Sequence, residues 1–126
     1  MLSAGRIVGF VPTKDSEKAR SFYEGNLGFE FVSDDRFALV MRAGQTNIRI
    51  AKAQDFTPAP YTVLGWEVSD IAAVVRWLTQ RGIVFEKYPF VQDRELGIWA
   101  TPNGDKVACF KDPDGNVLSV SQHKQS

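Results

Sequence analysis

The residues able to do chemistry are few and widely spaced. The chain holds one cysteine, Cys109, and one histidine, His123. A nucleophile needs a base within hydrogen-bond reach, and that base is in turn oriented by a third group. Cys109 lies in the apolar run Val107-Ala108-Cys109-Phe110, while His123 lies in the polar tail Ser121–Ser126. The spacing gives no reason to pair them. Cys109 reads as a small buried thiol rather than a nucleophile, and His123 as an exposed tail residue rather than a ligand. A single cysteine also excludes an internal disulfide and any cysteine-rich metal cluster. No matched acid/base pair emerges elsewhere, so catalysis by side chains alone has no obvious carrier.

The elements that position these residues come from a repeat of half the chain. Val8-Gly9-Phe10 answers to Leu64-Gly65-Trp66, and each triplet leads through a short extended run to an aspartate and a helical pattern. After Asp15, Ala19, Phe22, Tyr23 and Leu27 fall on one helical face; after Asp70, Ile71, Val74, Val75 and Leu78 do the same. Trp77 flanks that second stripe and is expected to pack. Each aspartate is a plausible N-cap, because its carboxylate can accept from the free amides of the first turn. The helices are expected to end at Gly25 or Gly28 and at Gly82.

Strands are expected at Phe29–Ser33, Phe37–Arg42 and Ile48–Ala51, then at Ile83–Tyr88, Gly97–Thr101, Val107–Lys111 and Val117–Ser121. The second half thus carries one strand more than the first. Asn103-Gly104 signals a two-residue hairpin with positive φ at both positions, and Asp112-Pro113-Asp114-Gly115 a further turn. Ala53–Tyr61, with Pro58 and Pro60, reads as a linker between a module at about 5–52 and a module at about 62–122. The fold class is α+β: two tandem βαβββ modules in a single domain.

Composition narrows the function classes. The chain has 126 residues, of which 44% are hydrophobic and 24% charged, an ordinary globular balance. Fifteen basic residues offset fifteen acidic ones, and no basic cluster stands out, so a nucleic-acid partner is not expected. Met1–Phe10 has no signal-peptide pattern, and no stretch approaches the ~18 apolar residues of a membrane span. A cytoplasmic protein is the expectation.

Several segments resemble the vicinal oxygen chelate superfamily of glyoxalases, bleomycin-resistance proteins and ring-cleaving dioxygenases. In the first half they are Val11-Pro12-Thr13-Lys14-Asp15, Ala19-Arg20-Ser21-Phe22-Tyr23 and Asn26-Leu27-Gly28-Phe29. In the second they are Gly65-Trp66-Glu67-Val68-Ser69-Asp70, Arg81-Gly82-Ile83 and Phe110-Lys111-Asp112-Pro113-Asp114-Gly115-Asn116. The resemblance implies curled mixed sheets forming a shared ligand-binding cup, but no single chemistry. It also implies metal ligands on the first and last strands of each module. Those positions fall at Val8, Arg49, Leu64 and Ser119. None is a histidine or carboxylate, and Arg49 brings a permanent positive charge. Glu67 is the only acid on a first strand, and alternation points it away from Leu64 and Trp66. Neither metal nor other cofactor is expected.

In that register Val8, Phe10, Arg49, Leu64, Trp66, Trp99 and Ser119 line the cup. An aromatic-lined concavity with few polar groups suits a small organic ligand, although the same rings could simply fill the space between sheets. Arg49, between Ile48 and Ile50, either grips an anionic group on that ligand or extends into water. Three classes stay open. The favoured one is a metal-free binding protein that sequesters or senses a small organic ligand in the cup, an anionic one if Arg49 faces it. The others are a metal-independent lyase, isomerase or thiol transferase, and an interaction module whose cup is self-filled. Open sheet edges favour a homodimer.

Overall fold

A computed structural model describes residues 1–124. The chain divides between Pro58 and Ala59 into two compact units. Each contains a four-stranded mixed sheet in which the first and last strands run parallel at one edge. In the first the order is β1 (Val8–Thr13), β4 (Thr46–Lys52), β3 (Ala38–Ala43), β2 (Glu30–Asp34). In the second it is β5 (Thr62–Glu67), β8 (Val117–Gln122), β7 (Lys106–Lys111), β6 (Trp99–Ala100). The βαβββ duplication is therefore present in both halves.

Helix α1 (Ser16–Arg20) starts at Asp15, whose carboxylate accepts from the Lys18 amide at 3.1 Å. It continues as a widened turn over Ser21–Asn26, with the Leu27 amide bonded to the Phe22 carbonyl at 3.1 Å. The widening rotates Tyr23 inward against Phe29, ring centroids 5.5 Å apart, and Tyr23 is wholly buried. Gly28, not Gly25, takes the positive φ that ends the helix. Strand alternation sends Val11, Thr13, Leu39, Met41, Ile48 and Ile50 to the helix side, and all six are buried. Helix α2 (Ile71–Gln80) is capped by Asp70, which accepts from Ala73 at 3.2 Å, and buries Ile71, Val75 and Leu78. Trp77 does not pack as expected: it stays 48% exposed, with the Arg81 guanidinium over its ring at 4.6 Å.

The second module departs from expectation at its outer edge. Ile83–Tyr88 forms no strand; it touches β7 through one bridge, Phe85 to Phe110, and one further bond from the Glu86 amide to the Cys109 carbonyl at 2.8 Å. The chain then leaves the sheet and returns as the short β6 on the same edge of β7. The extra strand is thus one broken strand interrupted by residues 87–98. That excursion is internally tied. The Arg94 guanidinium donates to the carbonyls of Tyr88, Val91 and Lys87 at 2.9–3.1 Å, and Asp93 accepts from the amides of Glu95 and Leu96. Pro89 and the Gly97 turn make continuous pairing here unfavourable. The expected two-residue hairpin at Asn103-Gly104 is also absent. Only Gly104 has positive φ, and the turn runs from Thr101 to Asp105, whose carbonyl accepts from the Thr101 amide.

Candidate functional site

Each sheet has one face turned to its helix and one face turned away, and register decides which residues share the latter. In the first module Phe10 is the partner of Arg49 across β1–β4, and Arg49 is the partner of Val40 across β4–β3. Val8, two residues before Phe10, joins them. This open face therefore carries Val8, Phe10, Val40, Arg42, Asn47 and Arg49. Arg42 is engaged, with Glu30 at 3.5 Å and Asn47 at 3.4 Å. Arg49 is part-buried, and no hydrogen bond or ion pair holds it among the described residues; Asp35 attracts it only at longer range. Asp35 is itself held below the usual carboxylate range, chiefly by accepting from the amides of Ala38 and Phe37.

In the second module the register pairs Gly65 with Ser119 and Glu67 with Ser121, while Cys109 faces Ser119 and Val107 faces both Ser121 and Trp99. A Cβ built on Gly65 would stand 3.2 Å from the Ser119 hydroxyl, which places the two side by side. The open face thus holds Ser119, Cys109, Val107, Ser121, Trp99 and Glu67. Trp99 meets Phe90 edge-on at 4.9 Å, and Phe90 stacks on Tyr88 at 5.5 Å. The Lys111 ammonium lies 3.7 Å from Glu86 at the other end. Burial first, and then the Glu86 carboxylate, push the Cys109 thiol upward, so it stays protonated near neutrality and lacks the features of a reactive cysteine.

Leu64 and Trp66 are not on that face. They pair with Leu118 and Val120, and Trp66 stacks on the buried Phe110 with centroids 6.3 Å apart. The sequence expectation placed them beside Ser119; the register places them on the helix side. The position as far before Asp70 as Val8 is before Asp15 is Val63, not Leu64, and from Val63 alternation leads to Gly65 and Glu67, the residues that pair with Ser119 and Ser121. Of the seven expected cup residues, Val8, Phe10 and Arg49 share one open face, Ser119 and Trp99 share the other, and Leu64 and Trp66 belong to packing.

The donor set does not fit a divalent cation. The open-face rows at the implied ligand positions offer valine, arginine and serine, and a guanidinium repels a cation. Among the described residues no cluster of three or more histidine, cysteine, aspartate or glutamate side chains stands close enough to hold a metal ion. A hollow of about 640 Å³ lies instead on the helix side of the second module, between Asp70 at the start of α2 and Asp93 in the excursion.

The sequence reading also passed over a polar chain at the end of β8. The Ser121 hydroxyl and His123 Nε2 are 3.3 Å apart, and His123 Nδ1 and Asp105 Oδ2 are 3.1 Å apart. The signal was local: Ser121 and His123 are two apart on an extended segment, hence on one side of it. Asp105 could not be found this way, because it arrives from the turn before β7. Gln125 and Ser126 of the expected polar tail lie outside the described residues.

The profile of the Glyoxalase/Bleomycin resistance protein/Dioxygenase superfamily matches residues 4–120. The chain belongs to that superfamily. Among solved structures, a superfamily member from Sphaerobacter thermophilus is 25% identical, with 98% of this chain and 100% of that one covered at a TM-score of 0.74. TnmS3, an antibiotic binding protein from a Streptomyces species, is 25% identical over 98% of this chain and 99% of its own, at a TM-score of 0.70. A bleomycin resistance determinant encoded on transposon Tn5 shares the superfamily fold at 20% identity, covering 97% and 100% of the two chains at a TM-score of 0.71. No curated protein matches the chain. Among the described residues no helix is long and apolar enough to cross a membrane.

Proposed function

We propose that the chain is a small-molecule-binding protein that sequesters or senses a small organic anion, without a metal. One observation carries this reading: Arg49 is part-buried on an open sheet face beside Phe10, itself 64% exposed, and makes no hydrogen bond or ion pair among the described residues. A part-buried guanidinium with unused donors favours a bidentate acceptor such as a carboxylate, and an exposed ring beside it offers a flat apolar surface. A planar aromatic carboxylate fits both. Ser119 and Trp99 give the second module's open face a similar mixture of one polar group and a ring.

Likeness to an antibiotic-binding protein supports binding over chemistry, and the arginine supports an anion over a cationic drug. We read the protein as a cytoplasmic homodimer, a two-fold pair being the commonest closed assembly. Light scattering that finds only monomer at tens of micromolar would count against the dimer.

The deciding experiment is a titration with benzoate-type carboxylates and their neutral amides, beside native mass spectrometry of the protein as purified. Carboxylates should bind and raise the melting temperature where the amides do not. Equal response to both series would overturn the anionic reading. Near one equivalent of chelatable metal per chain, lost together with binding, would overturn the metal-free one.

A further inference from the structure

We infer that Ser121, His123 and Asp105 form a nucleophile–base–acid chain able to hydrolyse small esters. Ser121 lies in β8 and His123 just beyond its end, so both project from the same side of the extended chain. Asp105 comes from the turn before β7 and is fixed there. Its own amide donates to Thr101 Oγ1 at 3.1 Å, and its carboxylate accepts from the Lys124 amide at 2.8 Å.

The order of these contacts sets the imidazole tautomer. An ionised carboxylate can only accept, and Asp105 is held below its ordinary range by the Lys124 amide and then by His123. His123 Nδ1 therefore carries the proton that faces Asp105. Nε2 is left as an acceptor, 3.3 Å from the Ser121 hydroxyl, with the polarity a general base requires. Glu67 is the register partner of Ser121, and its carboxylate favours neutral or cationic esters over anionic ones.

The step balances without any redox partner. Ser121 Oγ bonds to the ester carbonyl carbon as its proton moves to Nε2. The carbon–alkoxide bond then breaks, and the alkoxide leaves with that proton as alcohol. Water, deprotonated by the same nitrogen, releases the acid and restores Ser121.

The test uses a fluorophosphonate probe and p-nitrophenyl acetate on the full chain. The expected result is one phosphonyl adduct, located at Ser121 by peptide mass spectrometry, and ester hydrolysis lost in Ser121→Ala. In His123→Gln both rates should fall by roughly a hundredfold or more, the usual worth of a positioned base, with an unchanged melting temperature. A purely structural chain that pins the end of β8 predicts the reverse: no adduct, and a lower melting temperature. Absence of a Ser121 adduct, adduct formation in His123→Gln at the wild-type rate, or hydrolysis surviving in Ser121→Ala would each overturn the inference.

Discussion

Phe10 and Arg49 are register partners across the parallel β1–β4 pair, one exposed ring and one part-buried guanidinium side by side on the same sheet face. Arg49→Met retains most of the stem's packing and removes the charge. Affinity for an aromatic carboxylate should fall roughly ten- to a hundredfold, the worth of about 1.5–3 kcal/mol for a charged hydrogen bond. Calorimetric titration of wild type and variant reads this directly; unchanged affinity would mean that Arg49 points its charge at water.

The two module-opening strands make opposite demands on their aromatic residues. Trp66→Ala removes a ring stacked on Phe110 and should cost at least about 2 kcal/mol, below the 3–5 of a fully buried ring. Phe10→Ala should cost under about 1 kcal/mol yet weaken ligand binding. Urea unfolding paired with a binding titration separates the two, and a swapped pattern would show the face assignment to be inverted.

Much of the fold was legible because its signals are local. Asp15 and Asp70 cap their helices as read, since a side chain three residues from its amide needs no tertiary information. What failed was register. Matching Leu64-Gly65-Trp66 to Val8-Gly9-Phe10 sets the second copy one residue late against its capping aspartate, and a slip of one residue turns every side chain of β5 to the other face, so Leu64 and Trp66 were assigned to the open face. Long-range convergence was equally hidden: nothing near Asp105 in sequence announces His123.

Arg94→Met should loosen residues 87–98 without unfolding the sheet, because the guanidinium ties three carbonyls of that excursion and nothing in β7 or β8. Hydrogen exchange at the Val91 and Gly97 amides, both bonded within the excursion, should accelerate, with the melting temperature nearly constant. Equal acceleration throughout β7 would show the excursion to be part of the cooperative core.

Acid should undo the end of β8 in a defined direction. Asp105 is held below its ordinary value of 3.8 by the Lys124 amide and His123. A depressed folded pKa contributes stability that is present above 3.8 and is lost as pH falls through the lower folded value. The Lys124 amide resonance should therefore stay native-like down to pH 3.8 and shift below it. A shift of the Lys124 amide completed well above that pH would mean the carboxylate does not hold the tail.

The broken outer strand of the second sheet makes the duplicated halves unequal in what they can change. In the first half, β2 runs unbroken for five residues along β3 with one bulge, so an insertion there shifts a ladder. In the second, residues 87–98 leave and rejoin the same edge of β7, and their polar bonds are made mostly to one another. Their length and composition can drift without moving a single sheet hydrogen bond. The second half thus hangs a self-contained segment on an otherwise intact sheet edge, and that segment carries Tyr88 and Phe90 up to Trp99.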